Sequence, residues 1–231
     1  VTKRLRGEKA QSIYHLRVGL GGGKSHTCIL IYYLIKHHGK VASIIEERIG
    51  KKEKIKVDVP ENTKAAIIDG LRINPILGFR FPDGTRVNTL WGLLFKQLGV
   101  YEKLREIDTW ETAPTTDILR DVLKSPTLIL IDELTSYVEN VRYSPLKAGK
   151  VQVFLQALTT AIRESRNCAL IITTPAGVYE EAYKLISELL GRYAKPLIVA
   201  TGEESRRIRK RALFMDEFDT IRAVSYTHLT L

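Results

Sequence analysis

Sulfur is scarce in this chain: two cysteines and one methionine in 231 residues. So few thiols exclude a disulfide-stapled scaffold. Cys28 and Cys168 each lie in an apolar segment with no cysteine or histidine at ligand spacing, so both read as small core residues of a chain in the reducing cytoplasm. Long apolar runs are missing too. The longest, "CILIYYLI" at 28–35, falls far short of the ~20 residues that cross a bilayer, and no membrane partner is expected. No signal peptide, internal repeat, low-complexity tract, Ser/His/Asp hydrolase motif or metal-ligating cluster appears. The absence of any N-K-x-D motif excludes the GTPase pattern. An arginine-rich lid between the later helices, usual in small-molecule kinases, is also absent. Val1 rather than methionine opens the chain, as expected of a fragment.

What is abundant is positive charge. Lysine and arginine number 36 against 26 acids, a net charge of +10, concentrated in "TKRLRGEK" near the start, "KKEKIK" at 51–56 and "RRIRKR" at 206–211. Such a surface favours DNA through phosphate contacts without base preference. A merely solvated lysine-rich surface is the alternative.

Five continuous apolar segments read as strands buried on both faces: 13–18, 64–69, 127–132, 168–174 and 196–201. Helical patterns separate them at 24–38, 88–99, 115–124, 150–165 and 177–191. Residues 41–62 lean towards a short helix followed by an irregular, lysine-rich connection. Strands alternating with helices predict a parallel sheet covered on both faces, with ligands bound beyond the carboxyl ends of its strands. Trp91 and Trp110 read as core aromatics.

"RVGLGGGKSH" at 17–26 follows the first strand and opens the first helix. Gly23, Lys24 and Ser25 match the second half of G-x-x-x-x-G-K-[ST]. The first glycine of that template falls on Val18, leaving Gly19, Gly21, Gly22 and Gly23 to make the turn. Glycines let backbone N–H groups close around phosphates at a helix N-terminus. Lys24 would reach the terminal phosphates of ATP, and the Ser25 hydroxyl would ligate Mg²⁺. His26 either contacts nucleotide or packs within the first helical turn. About a hundred residues on, "LILIDEL" at 128–134 delivers Asp132 to the Mg²⁺ shell and Glu133 as the base that activates water. "CALIITTP" ends in Thr173 and Thr174. Alternation turns only one of them to the site, where it could touch the γ-phosphate or the water. Arg192 is either a finger reaching a neighbouring subunit's nucleotide or an ordinary helix-terminal arginine.

Several stretches together, "GGGKSHTCILIYYL", "TRVNTLWGLLFKQLG", "LILIDELTSYV", "FLQALTTAI" and "GRYAKPLIVATGEESRRIRKRALF", resemble an archaeal and bacterial P-loop ATPase family, domain of unknown function 499, over about residues 13–215. The resemblance implies an AAA-like ATPase. It also implies company with adenine-specific DNA methyltransferases and helicases in loci associated with phage defence. The partners so implied are ATP, DNA and other subunits of a DNA-modification or defence complex, with a homo-oligomer as one arrangement. By motif, Gly21 to Ser25 become the nucleotide loop, and Asp132 and Glu133 the Mg²⁺- and water-activating pair.

The resulting expectation is an α/β, three-layer, parallel-sheet P-loop NTPase domain of the AAA-like, additional-strand type with a truncated lid. Its parts are an N-terminal remnant at 1–12, the ATPase domain at 13–203 and the start of a helical lid at 204–223. The tail at 224–231, "VSYTHLTL", resembles a translated sequencing adapter and is set aside from the fold. In the additional-strand order, strand 168–174 lies between the loop strand and the Asp-Glu strand. The expected function is Mg²⁺-dependent ATP hydrolysis serving a DNA-associated complex. The alternative is a nucleotide-gated scaffold that never turns over.

Overall fold

The computed structural model describes residues 1–18, 24–37, 58–175, 179–191 and 193–197. In chain order its elements are α1 (Thr2–Leu5), β1 (Ile13–Val18), α2 (Lys24–Lys36), β2 (Lys64–Asp69), β3 (Phe79–Arg80), β4 (Arg86–Val87), α3 (Leu90–Gln97), α4 (Tyr101–Thr109), α5 (Thr116–Val122), β5 (Thr127–Asp132), α6 (Leu134–Val141), α7 (Pro145–Glu164), β6 (Cys168–Pro175), α8 (Glu180–Leu190) and β7 (Lys195–Leu197). Residues 38–57 and 198–231 lie outside the described set, and with them most of the expected 41–62 connection, the end of the last strand, the lid and the tail.

Five strands form one parallel sheet in the order β2-β5-β6-β1-β7. β6 therefore sits between the loop strand β1 and the Asp-Glu strand β5, as the additional-strand order requires. β5 and β6 are buried along their whole length, which is why they read as unbroken apolar runs rather than alternating ones. Leu5, Leu16, Cys28, Ile35, Leu128, Leu130 and Ile171 pack on one face of the sheet, beneath α1 and α2. Ile68, Ile129, Ile131, Leu170 and Ile172 join the larger core under α3 to α8 on the other. Two helical layers on a parallel sheet make a three-layer α/β domain, with the strand order expected of a P-loop NTPase.

The open side of β2 is closed by a side chain. Gln97 Nε2 donates to the Ile67 carbonyl at 2.6 Å, and its Oε1 accepts from Ile67 N at 2.8 Å. One amide thus imitates a neighbouring strand on an edge with which no described strand pairs. Behind it, α3 starts on Thr89, whose hydroxyl accepts from Gly92 N at 2.9 Å.

Some elements differ from expectation. α4 and α6 and the small β3-β4 hairpin are additional. α7 begins at Pro145 rather than 150, because proline suits the first helical position and Gly149 is tolerated inside the helix. Trp91 is a core residue, but Trp110 is 76% exposed. It caps α4, which turns Tyr101 and Asp108 inward and leaves the residue after Thr109 outside.

Candidate active site

Parallel strands place every carboxyl end at one edge of the sheet, and three polar residues meet there. Asp69, Asp132 and Thr173 occupy neighbouring places on β2, β5 and β6, since Asp69 is in register with Asp132 and Ile131 with Ile172. Side chains of paired residues share a face. The Thr173 hydroxyl donates a short hydrogen bond to Asp132 Oδ1. Glu133 N donates to the same oxygen at 3.1 Å and lies 3.3 Å from Thr173 Oγ1. Thr173 is fully buried and Asp132 nearly so. Among the described residues, Oδ2 of Asp132 has no hydrogen-bond partner.

The face they share belongs to α2, the helix that follows the glycine run. α2 packs on β5, β2, β1 and β6. One turn into it, Cys28 is buried close enough to Asp132 that the carboxylate adds to burial in pushing the thiol well above its usual range. Lys24 is the first residue of α2, Ser25 is half-buried, and His26 is exposed rather than packed in the first turn. Gly19, Gly21, Gly22, Gly23 and Arg192 lie outside the described residues.

Glu133 adopts a left-handed conformation, φ 52°, just before α6. Its carboxylate accepts from the Ser136 hydroxyl at 3.2 Å. Gly70, the residue after β2, closes on it from behind: Gly70 N donates to the Asp132 carbonyl at 2.9 Å, and a Cβ there would lie 2.3 Å from the Glu133 carbonyl oxygen. Only glycine lets β2 come this close, and the approach fixes where Glu133 stands.

The two threonines part company. Thr174 faces the opposite side of the sheet, its hydroxyl 2.8 Å from His15 Nε2. Burial first, then the charge of Arg17, lowers the His15 imidazole to about 4, so it is neutral near pH 7. Arg17 in turn lies 4.9 Å over the ring of Tyr183 on α8.

Two residues of this edge escaped the sequence reading. Asp69 ends a strand like Asp132 but carries no motif around it. His15 sits in mid-strand, where an isolated histidine gives no signal. Burial, with the charge of Asp132 as a lesser cause, raises the Asp69 carboxyl above its usual value. Asp69 and Asp132 thus stand side by side on the face over which α2, the helix that carries Ser25, packs.

The family model for the DUF499 N-terminal domain matches residues 1–209. The chain belongs to the DUF499 family. No curated protein matches it. Among solved structures it is similar to C. elegans PCH-2, at 15% identity and a TM-score of 0.32 over 82% of this chain and 35% of that one. The DUF499 chain thus spans about a third of the length of that protein.

Proposed function

We propose that this DUF499 domain binds Mg²⁺-ATP at the carboxyl edge of its sheet and hydrolyses it, as an AAA-like cytoplasmic ATPase serving a DNA-associated complex. The observation that carries the reading is the convergence of Asp132, Glu133 and Thr173 on the face of α2, directly beside the point where the glycine run leaves β1. Mg²⁺ would be held by Ser25 and Asp132, and it supplies charge neutralisation on the phosphate oxygens. Lys24 binds the terminal phosphates as a point charge. Glu133 orients a water and accepts its proton during phosphoryl transfer, a reaction governed mainly by positioning and electrostatics. Thr173 holds Asp132 Oδ1 and the Glu133 backbone in place. Arg192 serves as the finger that completes a neighbouring subunit's site in a homo-oligomer, and His26 borders the nucleotide. Work done on other subunits of a DNA-modification or defence complex is what hydrolysis drives.

The test compares phosphate release by the parent chain with that of Thr173→Val and Thr174→Val, with Mg²⁺ and with excess EDTA. EDTA is expected to abolish release. Thr173→Val is expected to lower turnover by about ten- to a hundredfold. Thr174→Val is expected to leave turnover within a few-fold and to cost about 1–2 kcal/mol of stability by leaving His15 unpaired. Equal turnover losses in the two variants, or release that persists in EDTA, would contradict the reading.

A further inference from the structure

The opposite end of the sheet carries a second feature. An open cleft of about 550 Å³ is bounded by Arg4, Lys9, Gln11, Arg163, Glu164 and Tyr193. It lies where the strands begin, since its lining residue Ser12 immediately precedes β1. The six residues of β1 separate it by about 20 Å from the edge that carries Asp132.

Its charges are unequal in their freedom. Arg4 is committed: its guanidinium donates to the carbonyls of Ile162, Arg163, Ser165 and Cys168, closing the C-terminal end of α7. Glu164, the acid at the rim, is paired with Arg120 at 2.6 Å. Glu8, the acid next to Lys9, is paired with Arg6 at 2.6 Å. Lys9 and Arg163 have no carboxylate partner among the described residues. Arg163 is nonetheless held, its guanidinium 3.8 Å over the Tyr193 ring. Tyr193 in turn is fixed by Gln11 Nε2 donating to its carbonyl at 2.7 Å. Exposed Arg166 and Lys195, at the amino ends of β6 and β7, extend the positive surface beyond the cleft.

We propose that this cleft is a docking site for the phosphodiester backbone of nucleic acid, with Lys9 and Arg163 as its phosphate contacts. The proposal gives a surface to the nucleic-acid part of the reading above and does not depend on its ATPase part. Cations left unpaired while the nearby acids are neutralised suit a polyanion whose charges recur at regular intervals. A protein partner would need an apolar centre, and of the residues lining the cleft only Ala10 and Tyr193 are apolar. A single small phosphate is best held by convergent backbone N–H donors, whereas the free cations of this cleft are the side chains of Lys9 and Arg163. No base-reading element enters it, so binding is indifferent to sequence.

The experiment is titration of a short labelled DNA duplex with the nucleotide-free 231-residue chain between about 50 and 200 mM salt. Lys9→Gln/Arg163→Gln is set against Lys103→Gln/Lys184→Gln, an equal charge change at exposed lysines on α4 and α8. The plot of log affinity against log salt is expected to become shallower by about two for the cleft variant and to stay unchanged for the control. If the double variant fails to fold, Lys9→Gln alone, at an exposed position, is expected to lower the slope by about one. Failure of the parent chain to bind duplex at the lowest salt removes the nucleic-acid partner and with it the proposal. Equal slopes for parent and cleft variant, or an equal loss in the control, overturn the cleft while leaving the partner. Displacement of the duplex by polyglutamate or inorganic phosphate at matched charge also overturns it, in favour of an acidic protein or a small anion.

Discussion

Glu133→Gln is expected to bind ATP within a few-fold of the parent chain and to lose hydrolysis by roughly 10²- to 10⁴-fold, the range general-base catalysis contributes. The substitution keeps the side chain's shape and removes its basicity. Its backbone requirements stay met, because the left-handed turn is enforced by Gly70 against the Glu133 carbonyl and by Glu133 N bonded to Asp132. The Ser136 hydroxyl can still donate to the amide oxygen that replaces the carboxylate oxygen. Loss of turnover with retained binding, measured as phosphate release beside equilibrium ATP binding, assigns the base. Undiminished turnover would remove Glu133 from the chemistry. A parent chain that binds ATP yet never turns over, alone or with added DNA, would make this domain the nucleotide-gated scaffold.

Asp108→Ala is expected to cost about 3–5 kcal/mol of stability, the range for stripping a buried, multiply bonded charge from its partners. Asp108 is fully buried on α4 and gathers donors from the start of α3. Asn88 N reaches both its oxygens, at 3.1 and 3.0 Å, Thr89 N donates at 3.0 Å and the Thr89 hydroxyl at 2.6 Å. Tyr101 adds its hydroxyl at 3.0 Å, and burial, followed by the negative charge of Asp108, pushes that phenol up to about 12. Four donors would lose their acceptor together, and α3, which carries Gln97 to the edge of β2, would lose its anchor. Gly92→Ala attacks the same contact from the other side, since a Cβ there would stand 2.1 Å from Asp108 Oδ1. Urea unfolding measures both. A loss below about 1 kcal/mol for Asp108→Ala would mean that the cluster contributes no more than one ordinary hydrogen bond.

The sheet was legible because its strands are buried on both faces and therefore read as unbroken apolar runs. β1, β2 and β5 lie at the expected residues, and β6 extends one residue further, to Pro175. The place of β6 between β1 and β5 followed from the paired loop and Asp-Glu motifs. Helices without a start signal were not legible. α6 follows Glu133 with no side-chain cap, and α4 is mostly polar, so neither announces itself. The carboxyl edge was half legible: Asp132, Glu133 and the two threonines carry motifs, whereas Asp69 becomes visible only through its register with Asp132. Alternation required the threonines to diverge, but only Asp132 on one side and His15 on the other show which faces which way. The Asp108 cluster and the basic cleft stayed hidden because their members lie far apart in sequence. Asp108 is 19 residues from Thr89, and Lys9 meets Arg163 and Tyr193 only through the fold.

Equilibrium binding of ATP with Mg²⁺, by the parent chain and by Lys24→Ala, tests the central claim most directly. Lys24 is the first residue of α2, where alanine is an excellent helix former, so the substitution removes a charge without disturbing the helix. Saturable binding by the parent is expected, weakened at least about 30-fold in the variant, the cost of leaving buried phosphate charge without its cation. No binding by the parent, or equal affinity in both, would contradict a nucleotide site at this edge of the sheet.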